Sequence, residues 1–240
     1  MKIINKRITI ITNAILFLVM IAVFSIGFLP QSVAPMYGGN EIGAIYNGNR
    51  ENRNVSLMFN VYENTKVVNG ILDVLSEKGA KATFFVGGCW ADDNEQTLKR
   101  IVAEGHEIAN HGYFHKDHAK LDVKQNEQEI SLADTVIYAL SGVKPTLFAP
   151  PSGSFSVATL EVAFNLGYKV IMWSKDTIDW RDSNHQTLIT RATKNATNGD
   201  LILMHPKAHT LSVLPQIIDF YKQNGFNLVT VSENVGEIGE

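Results

Sequence analysis

The sequence predicts an α/β fold: parallel strands in a distorted (β/α)7-type barrel, preceded by an N-terminal transmembrane helix. Three observations predict the barrel. Apolar, β-branched runs alternate with segments of helical periodicity through most of the chain. Gly or Asn follows most of the helical segments, where a C-cap belongs. His, Ser and Asp residues recur just after successive strand-like runs, and parallel barrels gather their chemistry at C-terminal strand ends.

The strand-like runs are VSLMFNV (55–61), ATFFVG (82–87), HEIAN (106–110), TLFAP (146–150), KVIMWS (169–174), DLILMH (200–205) and FNLVTV (226–231). Between them, Val68, Ile71, Leu72 and Leu75 recur at helical spacing before Gly79, and Leu98, Ile101 and Val102 before Gly105. Residues 123–141, 157–166, 186–197 and 211–223 are further helical segments. A doubly wound open sheet fits the same alternation, but it binds ligands only around a switch point. Polar residues from successive strand ends converge more easily in a closed barrel.

The chain has 240 residues, 45% hydrophobic and 19% charged, enough for one sizeable core. Its net charge of −3 and scattered basic residues exclude a nucleic-acid binder. Lys2, Lys6 and Arg7 precede the uncharged stretch ITIITNAILFLVMIAVFSIGF (8–28), which is long enough to cross a bilayer. The positive flank keeps the N-terminus inside. A cleaved signal peptide has the same order, but its apolar core is usually shorter, and Ser32-Val33-Ala34 before Pro35 is a weak cleavage site. The organisation expected is thus a membrane anchor or signal segment over 1–29, a Gly-, Asn- and Pro-rich linker over 30–53, and one domain over 54–240. That domain lies outside the cytoplasm on a single-pass anchor, or is secreted if the signal is cleaved. Cys89 is the one cysteine, so no internal disulfide forms; it reads as a small buried side chain.

Three of the seven histidines fall in EIANHGYFHKDH (107–118). His111 and His115, four apart after the third run, suit zinc or another borderline divalent ion if the segment turns as a helix does. A pair of polar loop histidines is the plain alternative, and His118 reads as a solvent-facing extra. MWSKDTIDWRD places Asp176 and Asp179 beside Trp173 and Trp180: either turn-capping aspartates or carboxylates that tune a neighbouring acid or base. His205, at the end of LILMH, is a structural strand-end histidine or a general acid.

In this order, KATFFVGG, IVAEGHEIANHGYFH, FAPPSGSF, WSKDTIDW and LILMH resemble the successive blocks of the polysaccharide deacetylases of the carbohydrate-esterase 4 type, with the NodB-homology domain. The resemblance covers roughly 54–233 and is nearest to the sporulation deacetylase-like branch. It implies a distorted (β/α) barrel and a divalent metal, zinc by preference, held by an Asp and two His. It also implies an Asp base and a His acid that removes N-acetyl groups from a cell-wall type glycan, peptidoglycan or chitooligosaccharide-like. The metal His fall on His111 and His115 and the acid on His205. Asp176, Asp179 and Trp180 fall in the Asp-containing block, and which Asp supports His205 stays open.

The first block departs from the family. Its T-F-D-D is here Met58-Phe59-Asn60-Val61, so Asn60 stands for the base and Val61 for the metal Asp; neither does that chemistry. The Arg of the third block is Ala149, which agrees with loss of the base, since an unpaired buried Arg is costly. Ser152 still offers a backbone N–H as an oxyanion donor. Three readings follow. A metal hydrolase with a rebuilt site would use Glu63 as the replacement ligand and Asn60 as a weak oxygen. A glycan-binding homologue without catalysis would stack sugars on Tyr62, Tyr113, Phe114 and Trp180. An envelope scaffold would do neither. The hydrolase is the expectation carried forward, with an N-acetylated glycan as partner and a membrane contact through residues 8–28.

Overall fold

A computed structural model describes residues 42–236. The strands are β1 (Ala44–Ile45), β2 (Asn54–Val61), β3 (Ala82–Val86), β4 (Glu107–Asn110), β5 (Leu147–Phe148), β6 (Lys169–Ile171), β7 (Lys175–Asp176), β8 (Leu201–Met204) and β9 (Asn227–Leu228). The helices are α1 (Thr65–Lys78), α2 (Gly88–Asp93), α3 (Glu95–Ala103), α4 (Val123–Ser141), α5 (Val157–Asn165), α6 (His185–Thr193), α7 (Ala208–Gln223) and α8 (Val231–Val235). The predicted membrane segment lies outside the described residues; among those described, no helix is long and apolar enough to cross a membrane.

Every strand pairing is parallel, in the order β1-β6-β5-β4-β3-β2-β8-β7, with β9 joined to the start of β2. β6 and β7 stand towards opposite ends of this path, yet only residues 172–174 separate them in the chain. The run KVIMWS, expected as one strand, therefore bends midway. Its first half, β6, pairs with β5 and β1, and β7, just past its end, pairs with β8, which curls the sheet into a barrel-like shell.

Alternation along β2 divides the core. Leu57, Phe59 and Val61 pack among helix residues such as Val68, Ile71 and Leu72 of α1 and Ile217 of α7. Met58 points the other way, into a lumen filled by Phe85, Ala109, Ala149, Ile171 and Leu203. Truncating such a side chain costs about 2–5 kcal/mol. α1 presents its expected apolar stripe and stops at Gly79, whose φ of 54° suits glycine. α4 begins with a reciprocal cap between Asp122 and Gln125.

Residues 42–53, expected as part of a linker, belong to the shell. β1 adds to β6, Gly48 N–H donates to the Gly199 carbonyl (2.7 Å), and Asn49 N–H to that of Asn234 (2.8 Å). The Gly-rich composition serves close backbone approach here: a Cβ on Gly48 would run into the Asn234 side chain. At the same end of the barrel, Val231 and Val235 of α8 pack into the lumen cluster.

Candidate active site

One layer above the lumen cluster, the alternation brings polar residues to the C-terminal mouth. Asn60 follows Met58, His111 follows Ala109 and His205 follows Leu203, each two residues on and so on the inward face. Asn60 is 2% exposed, and its Oδ1 is buried without a hydrogen-bond partner. Val61 has the opposite orientation and is part of the helix-side apolar cluster.

The β4 loop carries the histidine pair. His111 Nδ1 lies 2.7 Å from the Ala149 carbonyl oxygen, which only accepts, so Nδ1 holds the proton and Nε2 keeps its lone pair. The ring centroids of His111 and His115 are 5.1 Å apart. Burial holds His111 well below the usual imidazole range, with His115 adding to the effect, and burial lowers His115 as well. Both are thus held neutral, as ligation requires. His115 itself adopts φ 55° and packs at a tilt of 38° against Tyr62, with centroids 4.1 Å apart.

Glu129 of α4 anchors this loop from beneath. Its buried carboxylate accepts the N–H groups of Tyr113 (3.1 Å) and Phe114 (2.8 Å) and pairs with Lys116 (3.0 Å). Asn110 Oδ1 accepts the Gly112 N–H at 2.8 Å. His118, expected to face solvent, is instead fully buried. Its Nδ1 meets Asn126 Oδ1 of α4 at 2.7 Å, and its Nε2 approaches Gly112 so closely that a Cβ there would lie 3.0 Å away. Cys89 is half-buried beside Tyr113, and burial raises its pKa.

Across the mouth, Asp179 is the aspartate that supports His205. Its Oδ1 accepts from His205 Nδ1 (2.7 Å), and its Oδ2 accepts from the His205 backbone N–H (2.7 Å) and Thr210 Oγ1 (2.6 Å). His209 Nε2 stands 2.7 Å from the Asp179 carbonyl. Burial opposes ionisation of Asp179, but the bonds from His205 and Thr210 outweigh it and hold the carboxyl below its usual range. With Asp179 ionised, His205 Nδ1 carries the proton, and among the described residues nothing engages Nε2. Asp176 does a different job: its Oδ1 accepts the Ile178 N–H (2.7 Å), holding that residue at φ 54°. This left-handed turn sends Asp179 inward, while Trp180 stays 55% exposed under the Arg181 guanidinium.

The remaining expected groups scatter. The Glu63 carboxylate is engaged by Lys207, whose ammonium it holds above its ordinary range. Ser152, at φ 57° in the turn Pro151–Gly153, is exposed. A catalytic zinc takes three protein ligands. Here two imidazoles have no carboxylate beside them at position 61, where the Val61 side chain turns to the helix-side cluster, and among the described residues no three His, Cys, Asp or Glu side chains gather to hold an ion. The donor set falls one short, so the residues do not fit a resident catalytic metal.

The polysaccharide deacetylase family model matches residues 47–171, just over half of the chain. The chain belongs to the polysaccharide deacetylase family. Similar proteins include the uncharacterized protein YlxY of Bacillus subtilis (strain 168), 38% identical over 193 residues, or 80% of this chain and 60% of that protein. The peptidoglycan-N-acetylglucosamine deacetylase PgdA of Listeria monocytogenes is 30% identical over 78% of this chain and 40% of its own. The chain thus spans from two fifths to three fifths of these relatives. Among solved structures, BA3943 of Bacillus anthracis, a family-4 carbohydrate esterase pseudoenzyme, aligns at TM-score 0.79 and 31% identity, over 82% of this chain and 70% of that one. A BA3943 mutant with restored enzymatic activity aligns equally well, at 29% identity.

Within this polysaccharide deacetylase fold, four contributors are not apparent from the motifs. Glu129 leaves one signal: a carboxylate on the apolar stripe of α4, with Asn126, Ile130, Ala133 and Ile137. Thr210, His209 and Lys207 reach the mouth only through the fold.

Proposed function

We propose that this protein is a glycan-binding polysaccharide deacetylase homologue that does not remove N-acetyl groups by the metal-assisted route. One observation carries the reading. The two carboxylate positions of the first block hold Asn60, an amide, and Val61, a core side chain, while the nearby Glu63 is neutralised by Lys207. A carboxamide does not accept a proton at neutral pH, and loss of a general base alone costs about 10²–10⁴-fold in rate. The likeness to a pseudoenzyme supports the same reading.

The mouth keeps what binding needs. Tyr62, Phe114 and Trp180 are exposed and offer apolar faces to sugar rings. His205 Nε2 accepts a hydrogen bond from a hydroxyl or amide N–H, and Asp179 fixes the ring's tautomer and orientation. The ligand class is an N-acetylated cell-wall glycan, met outside the cytoplasm by a domain anchored through residues 8–28. The intact Asp179–His205 pair favours the second reading, a deacetylase with a rebuilt site. Titration calorimetry with N-acetylglucosamine oligomers, beside an acetate-release assay, decides between them. Binding without acetate supports the proposal, and acetate release abolished by a chelator overturns it.

A further inference from the structure

Three consecutive residues past Val61 each reach across the mouth. Tyr62 covers the His115 ring on the β4 loop, at 4.1 Å between centroids. Glu63 pairs with Lys207 on the β8 loop. Asn64, at φ 60°, donates from Nδ2 to the Pro206 carbonyl on that same loop (3.1 Å), while its own carbonyl accepts the first amides of α1, Val67 N–H (2.8 Å) and Val68 N–H (3.0 Å). The three contacts thus join the end of β2 to the loop carrying His111 and His115 and to the loop carrying His205. A metal held by a carboxylate at position 61 and two histidines would tie the same strand end to the β4 loop.

We propose that Tyr62, Glu63 and Asn64 form a strap that holds the mouth in place without a metal, and that Tyr62 withholds His115 from metal ligation. This rests on the reading of the mouth as a metal-free glycan site. The physical basis is that a ligating imidazole must swing its nitrogen to within about 2.1 Å of an ion, in fixed geometry. The Tyr62 ring packed on His115 restrains that movement, and the Glu63–Lys207 pair keeps the loop bearing Tyr62 in position.

The test uses the full chain and compares wild type, Tyr62→Gly and Tyr62→Phe, each also in an Asn60→Asp/Val61→Asp background. Zinc affinity is read by competition with a chromophoric chelator. In the double-substituted background, Tyr62→Gly is expected to raise zinc affinity tenfold or more, while Tyr62→Phe, which keeps the ring, leaves it unchanged. In the native background, Tyr62→Gly is expected to weaken binding of the N-acetylglucosamine tetramer about tenfold, and chelator leaves wild-type binding unaltered. An unchanged zinc affinity in the Tyr62→Gly variant overturns the proposal, as does tetramer binding by wild type that fails on chelation. If the double background does not fold, diethyl pyrocarbonate labelling of His115, read by mass spectrometry, replaces the zinc measurement. Several-fold faster labelling in Tyr62→Gly supports the strap, and equal rates overturn it. If wild type binds no tetramer at all, the glycan reading fails, while the zinc and labelling results still judge the strap.

Discussion

His205 and Asp179 form a closed pair: the Asp179 carboxylate takes both the ring Nδ1–H and the backbone N–H of His205, each at 2.7 Å. Thr210 fills a third acceptor position at 2.6 Å. Asp179→Asn keeps one acceptor oxygen and sets an NH2 against the third donor, so that either His205 takes the opposite tautomer, with Nδ1 accepting, or one donor is left buried and unpaired. The expected loss is about 3 kcal/mol of stability, measured by denaturant unfolding at pH 7. The pH dependence follows from the depressed carboxyl. Its contribution is complete above the unfolded value of about 3.9 and is lost as pH falls through the lower folded value. Melting curves below pH 4 should fall less steeply in Asp179→Asn than in wild type.

Glu129 holds the β4 loop through two successive amides and one ammonium. Glu129→Ala leaves the Tyr113 and Phe114 N–H groups without their partner, at a cost of about 2–3 kcal/mol. Hydrogen exchange at residues 112–116 should accelerate far more than exchange in α1, and tetramer affinity should drop with it. Uniform acceleration across the domain would assign Glu129 to global stability instead.

The alternation of strand and helix in a curled parallel sheet is legible in the sequence, because periodicity and block order are local. The misses share a cause: each was decided by residues distant in the chain or by backbone conformation. β1 has two residues, too few to show a period, and its strand character comes from β6. The choice between Asp176 and Asp179 turns on Ile178 at φ 54°, a left-handed position that β-branched residues rarely occupy. Glu63 reads from its motif as a replacement ligand, but Lys207, 144 positions later, engages it. His118 sat in a polar stretch, yet Asn126 of α4 provides it a buried partner.

His106 provides a stability test far from the mouth. It is 7% exposed and packs edge-on against Phe84, with Nδ1 buried and unpartnered. Burial, reinforced by Lys81, lowers its pKa to about 4. The unfolded chain binds this proton near pH 6.5 and the folded chain near pH 4, so stability falls as pH drops through that window. The largest loss for such a shift is about 3 kcal/mol. His106→Leu should flatten the denaturation midpoint between pH 6.5 and 4. His111 and His118, lowered in the same direction, leave a residual slope.

Val61→Asp tests whether the histidine pair is a latent ligand set. In the absence of metal, the substitution puts a carboxylate into the apolar cluster around α1 and should destabilise the domain by about 2–4 kcal/mol. If the new carboxylate turns towards the mouth, it completes three ligands with His111 and His115, the number a catalytic zinc needs. Zinc then binds the folded state alone and raises its stability by mass action, about 2.7 kcal/mol at a hundredfold excess over Kd. Thermal melts of Val61→Asp with zinc and with chelator should therefore diverge by several degrees, while wild type shows no difference. Adding His111→Ala should erase the divergence. A melting temperature that ignores zinc both in Val61→Asp and in Val61→Asp/Tyr62→Gly would show that a carboxylate at position 61 and the two imidazoles do not come together on one ion.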